Sequence, residues 1–332
     1  MNFSKKFIPA AAMASLFALS ACGESSTSSD SNGEQVSVQQ DSSSTQLPEP
    51  TPGTDSLNQG GNGPLGNDST VTDSLNNQGG ATPTQDSLPP LPAILSFEEE
   101  MARDSLFVAA SADTGITFIE DVYKNLAADE RVIFLIRHSR RFPKTEKETQ
   151  LTTLGIQQAQ LVGEKLKSNE PFAYAHTDFV RTQQTAENIA IGRGETFPGS
   201  TVIPELTETW YTKDEEKLAA AFDSLKKAEV VYSEWAFHET FADAFYDLKE
   251  SSVKAITELL IPKMSATTRV NVVVSHDMFI GPLIVYCTNK QINRLRYWET
   301  RRWVFFLSGL AIVIKPDGTR RYIPIDGIEY GS

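Results

Sequence analysis

The segment Arg131-Val-Ile-Phe-Leu-Ile-Arg137-His138-Ser-Arg-Arg-Phe-Pro-Lys144 decides how the chain folds. Its first half is rich in branched and aromatic side chains and is bounded by polar residues, which predicts a buried strand over 131–137. An α/β sheet collects ligands just beyond such strand ends. Here that position carries His138, ringed by Arg137, Arg140 and Arg141. A guanidinium is always charged and its planar fork matches phosphate oxygens two at a time. A neutral imidazole nitrogen can attack phosphorus and carry it covalently. Taken alone, the segment fits equally well a strand that ends in a solvated basic turn, so the rest of the chain has to decide.

Outward from this strand, the pattern predicts a helix at 152–168, a strand at 172–176, a helix at 178–191 and a short strand near Thr201 to Ile203. Helices within 214–228 and 234–261 follow, then a strand at 269–275 and a helix at 278–288. Two β-prone runs, 303–307 and 310–315, surround Ser308-Gly309, and a turn at Pro316-Asp317-Gly318 leads to a last strand at 320–325. Strands alternating with helices imply a three-layer α/β/α sandwich with a mainly parallel sheet, because parallel strands need crossover helices. Upstream, 97–110 and 116–128 have helical patterns, so 93–130 is expected to be an N-terminal helical extension and 131–332 the catalytic domain.

The first 92 of the 332 residues read differently. Met1 to Cys22 has the layout of a secretion signal: Lys5 and Lys6, an apolar stretch from Phe7 to Leu19, then small residues. That stretch is too short for a spanning anchor. Leu19-Ser-Ala-Cys22-Gly23 resembles the bacterial lipobox, which implies lipidation at Cys22, export, and attachment to the cell envelope. Gly23 lacks the aspartate of inner-membrane retention, so the outer membrane is the expected location. The only other cysteine is Cys287, in an apolar run, so the mature chain can form no internal disulfide and Cys287 is expected in the core.

Residues 23–92 are Ser, Thr, Gly, Asn, Gln, Pro and Asp with few large apolar side chains, which predicts a disordered linker. The near copies Asp55-Ser-Leu-Asn-Gln-Gly-Gly61 and Asp73-Ser-Leu-Asn-Asn-Gln-Gly-Gly80 read as a duplicated tether, since each offers one leucine to bury. Seventy flexible residues span roughly 45 to 50 Å root-mean-square. The tether holds nine acidic residues and no lysine or arginine. Of the net charge of −13, this leaves −6 on the remainder once the two leader lysines are set aside. A mildly acidic body argues against nucleic acid as a partner.

Four separated pieces resemble the histidine phosphatase superfamily, with its phosphoglycerate mutase-like fold. Arg137-His138-Ser139 resembles the Arg-His-Gly signature, and Leu151-Thr-Thr-Leu-Gly155-Ile-Gln-Gln-Ala159 the helix start that follows it. Thr177-Asp-Phe-Val-Arg181-Thr-Gln-Gln-Thr-Ala186 resembles the segment with a further phosphate arginine, and Val272-Val-Val-Ser-His276-Asp277 the strand ending in a second histidine. The resemblance covers about 131–290 and does not explain the tail from Leu295. It implies phosphomonoester hydrolysis through a phosphohistidine on His138. Arg137, Arg141, Arg181 and His276 would hold the phosphoryl oxygens of a small substrate, with no metal and no cofactor.

The proton donor to the leaving alcohol stays open between Glu208, placed as in the mutase-like branch, and Asp277, placed as in the acid phosphatase branch. Ser139 replaces the usual glycine and offers either a tighter backbone or an extra hydroxyl contact. Two other functions fit the same motifs: a catalytically inactive surface lipoprotein holding phosphorylated glycans or a protein, and a phosphomutase. His176 reads as a rim residue and His238 as part of a helix face packed on aromatics. Arg294, Arg296, Arg301 and Arg302, which flank Tyr297, Trp298 and Trp303, read as solvated surface before they read as a substrate platform.

Overall fold

A computed structural model of the chain describes Glu99 and residues 116–329. The leader, Cys22, the tether and the helix expected at 97–110 lie outside those residues, apart from Glu99. The described strands are β1 (Thr117–Phe118), β2 (Arg131–Arg137), β3 (Phe172–His176), β4 (Thr201–Val202), β5 (Val270–Ser275), β6 (Ser308–Ile314) and β7 (Arg320–Asp326). They form one seven-stranded sheet in the order β1-β7-β6-β2-β5-β3-β4. All pairings are parallel except those of β6 with β2 and β7, so the expected mainly parallel sheet is present.

The pleat explains the three layers. Alternate side chains of a strand point to opposite faces. On β2, Ile133 and Leu135 pack to one side while Val132, Phe134 and Ile136 pack to the other. The second face is covered by α1 (Ile119–Lys124), α2 (Thr153–Lys165) and α3 (Val180–Arg193). The first is covered by α4 (Glu215–Leu225), α5 (Ala228–His238), α6 (Leu248–Lys254) and α7 (Asp277–Cys287), with Cys287 in that core as expected. A further short helix, α8 (Tyr297–Thr300), lies in the tail.

Two expectations are corrected. The helix expected over 116–128 is only six residues long, because Thr117 and Phe118 instead pair with Ile325 and Asp326 at the sheet edge. Part of the 93–130 extension therefore belongs to the sheet that was expected to begin at 131. The helices expected within 234–261 are separate segments, divided by a reversal. Glu239 and Phe241 take left-handed φ values of 61° and 62°, and the reversal brings Phe245 back to stack on Trp235 at 4.2 Å and 14°. Asp247 then caps α6 by accepting from the Glu250 amide, and the chain runs on through a π-helical turn, Ala255–Leu260.

The β-prone run 303–307 forms no strand. Leu307 turns with a φ of 60°, its amide donates to the Arg137 carbonyl at 3.1 Å, and pairing with β2 starts only beyond it. At Gly309, opposite Ile136, a Cβ would lie 1.9 Å from the Leu135 carbonyl oxygen, so only glycine lets β6 approach here. The tail that the resemblance left unexplained thus supplies two of the seven strands, both of them paired on either side within the sheet.

Candidate active site

The parallel register of β2 and β5 sets Arg137 against Ser275, so the residues that follow, His138 and His276, emerge side by side. The His138 amide donates to the Ser275 carbonyl at 3.0 Å. Their rings stand edge to face with centroids 5.4 Å apart. Both are buried, at 2% and 5% exposure, which makes the imidazolium form costly for each. Burial, then the His276 ring, then Arg137 and Arg181 hold His138 well below the ordinary histidine range. Burial and the cations Arg181, Arg137 and Arg141 do the same to His276.

The proton of neutral His138 can be placed. Nδ1 lies 2.7 Å from the Ser139 carbonyl oxygen, which can only accept, so Nδ1 carries the hydrogen. Nε2 is left with a lone pair, the state a nucleophile needs. Ser139 itself is fully buried. Its hydroxyl donates to the Gly155 carbonyl at 2.7 Å and its amide to Thr185 Oγ1 at 2.9 Å. Of the two roles open to it, Ser139 therefore makes the extra hydroxyl contact, which with its amide ties the backbone beside His138 to α2 and α3. The Leu-Thr-x-x-Gly segment has a matching local reason. Thr152 caps α2 by accepting from the Gly155 amide at 3.0 Å, and a Cβ on Gly155 would sit 2.0 Å from the Arg140 carbonyl oxygen.

Three guanidinium groups surround the imidazoles. Arg137 donates to the Val304 carbonyl at 2.6 Å, pairs with Asp277 at 3.1 Å, and lies 4.4 Å over the Phe306 ring. Arg181 is 6% exposed, donates to the Glu146 carbonyl at 3.0 Å and stacks on Phe179 at 4.3 Å. Burial, Arg141 and Arg137 lower its pKa to about 10, against the opposing pull of Glu208 and Asp277. Arg141 donates to the carbonyls of Phe142 and Lys144 and is lowered by burial and by Arg137. The Nε of each of the three is buried without a hydrogen-bond partner. Three mutually repelling cations, one from the end of β2, one from the loop after it and one from the first turn of α3, make a ready oxyanion cradle.

The two carboxyl candidates differ in their surroundings. Asp277, the first residue of α7, is engaged with Arg137. Glu208 opens a short 3₁₀ turn and forms no ion pair among the described residues. Burial raises its pKa and Asp277 adds to the rise, while its own amide and Arg181 pull the other way.

The two phenylalanines were not singled out from sequence. Phe306 touches His138 at 5.7 Å as well as Arg137, and Phe179 sits edge-on to His276 at 4.6 Å under Arg181. Each thus flanks one imidazole and one guanidinium. Phe179 stands inside the motif that yielded Arg181, but Phe306 belongs to the tail and carries no local signal. His176 is buried, its Nδ1 bonded to the Thr177 carbonyl. His238 packs at 4.7 Å on Trp298. Arg294 is held by Asp326 in a two-pronged pair at 2.7 and 2.8 Å, and Arg296 stacks on Phe237 at 4.5 Å. For those two the cluster is neither a solvated surface nor a free platform, because their guanidiniums are already committed within the protein.

No curated protein matches the chain. Among solved structures it is similar to phosphoglycerate mutase from Bacillus anthracis str. Sterne, at 16% identity over 60% of this chain and 94% of that one, TM-score 0.38. It is similar to a mycobacterial glucosyl-3-phosphoglycerate phosphatase, at 16% identity over 59% and 97%, TM-score 0.34. It is also similar to the protein histidine phosphatase SixA complexed with tungstate, at 16% identity over 59% and 97%, TM-score 0.32. The family model of the histidine phosphatase superfamily (branch 1) matches residues 133–303, a span that contains both histidines, the three arginines and both carboxyl candidates. The chain belongs to the histidine phosphatase superfamily, whose members are phosphatases or mutases.

Proposed function

We propose that the protein is an exported, lipid-anchored phosphomonoesterase that works through a phosphohistidine on Nε2 of His138. The observation that carries this reading is the Nδ1 contact with the Ser139 carbonyl, which leaves Nε2 unprotonated in a ring that burial and neighbouring cations keep neutral. Phosphoryl transfer has a loose, in-line transition state with charge on three equatorial oxygens, so positioned cations supply most of the catalysis. Arg137, Arg181, Arg141 and His276 grip those oxygens while His138 displaces the alcohol. Water then attacks phosphorus while its proton passes to the Glu208 carboxylate, which breaks the N–P bond, frees His138 and phosphate, and restores the acid.

Glu208 gives the departing alkoxide its proton, since a buried carboxyl with no cation bound to it keeps its proton to higher pH than an ordinary glutamate. Asp277 positions Arg137. The lipid anchor is Cys22, reached through the 23–92 tether, and palmitate labelling lost in Cys22→Ser tests it.

Hydrolysis of p-nitrophenyl phosphate by the purified protein, without added metal, tests the activity. His138→Ala is expected to lose several powers of ten in kcat. The wild type, stopped in mid-turnover, should carry an acid-labile phosphate on His138. Full activity in His138→Ala overturns the mechanism, and phosphate binding without turnover of any phosphomonoester turns the protein into a binding lipoprotein.

A further inference from the structure

The proton on His276 can be traced as well, and it ends in an unexpected place. Thr182 Oγ1 lies 2.7 Å from the Phe179 carbonyl oxygen and 3.1 Å from that of Thr177. Carbonyls only accept, so the single Thr182 hydroxyl hydrogen goes to them. Thr182 Oγ1 is also 2.9 Å from Thr177 Oγ1, and the hydrogen of that contact must then come from Thr177. With its hydrogen spent, Thr177 Oγ1 can meet His276 Nε2, 3.0 Å away, only as an acceptor. The opposite direction of the chain would aim Thr182 lone pairs at two carbonyl oxygens, in a place where both threonines are fully buried.

A neutral His276 therefore carries its hydrogen on Nε2. Its Nδ1, which has no hydrogen-bond partner among the described residues, is a lone pair. His138 likewise keeps its hydrogen on Nδ1 and leaves Nε2 bare. Two bare nitrogens stand beside a cradle for a phosphoryl group whose own oxygens are acceptors, so one hydrogen is missing.

We propose that Thr177 and Thr182 are positioning residues that lock His276 as the Nε2–H tautomer, and that the site consequently takes up its phosphoryl group together with one proton, which His276 Nδ1 then donates to a phosphoryl oxygen. This rests on the phosphoryl site proposed above. The charged and titratable groups around His276 are Arg137 on β2, Arg141 in the following loop, Arg181 on α3 and the His138 ring, with the Glu208 and Asp277 carboxyls close to Arg181. In the free protein burial, and with it the cations Arg181, Arg137 and Arg141, keeps the proton off His276. A bound dianion neutralises that field and draws the proton in.

Tungstate, a dianion that is not itself protonated near neutrality, is the probe. In the ¹⁵N-labelled protein at pH 7.5, with histidine signals assigned through His176→Gln and His238→Gln, His276 is expected as Nε2–H and His138 as Nδ1–H. On saturation with tungstate, His276 should become doubly protonated while His138 stays neutral. Calorimetry in buffers of different ionisation heat should give close to one proton taken up per site, unchanged in Glu208→Gln. Thr177→Ser should keep the tautomer and the affinity. Thr177→Val should lose the tautomer preference and bind tungstate about tenfold more weakly.

An Nδ1–H tautomer at His276 in the free protein overturns the positioning roles. Tungstate binding without proton uptake overturns the coupling while leaving the phosphoryl site intact. A folded protein that binds no tungstate refutes that site and the coupling with it, and the tautomer spectra then decide the threonine roles alone.

Discussion

Replacing Glu208 by glutamine and Asp277 by asparagine should produce two different kinds of damage. Glutamine keeps the shape of Glu208 but cannot release a proton, so the loss depends on how badly the leaving group needs one. Positioned acid catalysis contributes about 10² to 10⁴ in rate. For an alkyl phosphate, kcat/KM should fall roughly a thousandfold, ~4 kcal/mol of barrier. For p-nitrophenyl phosphate, whose leaving group departs as a stable anion, the fall should stay under about tenfold. Asp277→Asn instead weakens a charge-assisted contact at 3.1 Å between side chains only 15% and 18% exposed. That contact is worth about 1.5–3 kcal/mol, or roughly ten- to a hundredfold, and the loss should be equal for both substrates because Arg137 grips the phosphoryl group and not the alcohol.

The pH profile adds a sign. The acid acts protonated, and burial holds the Glu208 carboxyl protonated to higher pH than an ordinary glutamate. Activity on the alkyl phosphate should therefore fall as pH rises through that raised value, and Glu208→Gln should erase this limb. Leaving-group dependence confined to Asp277→Asn, with none in Glu208→Gln, would refute the assignment.

Gly155→Ala should cost about 1–3 kcal/mol in urea unfolding and lower kcat/KM as well, because the new methyl meets the Arg140 carbonyl oxygen at 2.0 Å, next to the cradle; unchanged stability would mean that α2 can shift freely. Arg294→Met should lower stability by roughly 1.5–3 kcal/mol through the lost pair with Asp326 and leave kcat/KM within about twofold, whereas a tenfold loss of kcat/KM in the folded variant would make the basic cluster a substrate contact. His138 and His276 have depressed folded pKa values, so the stability they contribute is present above the unfolded histidine value of about 6.5 and is lost as pH falls below it, at ~1.4 kcal/mol per pH unit for each ring. Urea midpoints at pH 7.5 and 5.5 should diverge for the wild type and much less for the double asparagine variant; equal divergence in the two proteins would place the acid sensitivity elsewhere.

The imidazole pair was legible in sequence because both partners end apolar strand runs, and parallel pairing of two such runs leaves little freedom over which residues meet. Arg137 against Ser275 is the register that buries both runs in full, and His138 beside His276 follows from it. Arg181 was legible for a related reason: it follows β3 by a few residues and opens α3, at the same edge of the sheet. The orientation of these groups was not legible. Arg137 is aimed by the Val304 carbonyl and the Phe306 ring, which come from a run whose composition reads as strand but whose path turns at Leu307. Nothing local announces that turn, which arises where β6 must slot between β2 and β7 and where Gly309 alone can lie against Leu135. The choice between Glu208 and Asp277 is hidden in the same way, since it depends on which carboxyl Arg137 engages. Because β6 joins β2 antiparallel from the far end of the chain, His138 and Arg137 acquire their final surroundings only when the C-terminal strands have paired, so the tail outside the recognisable motifs helps to build the candidate site.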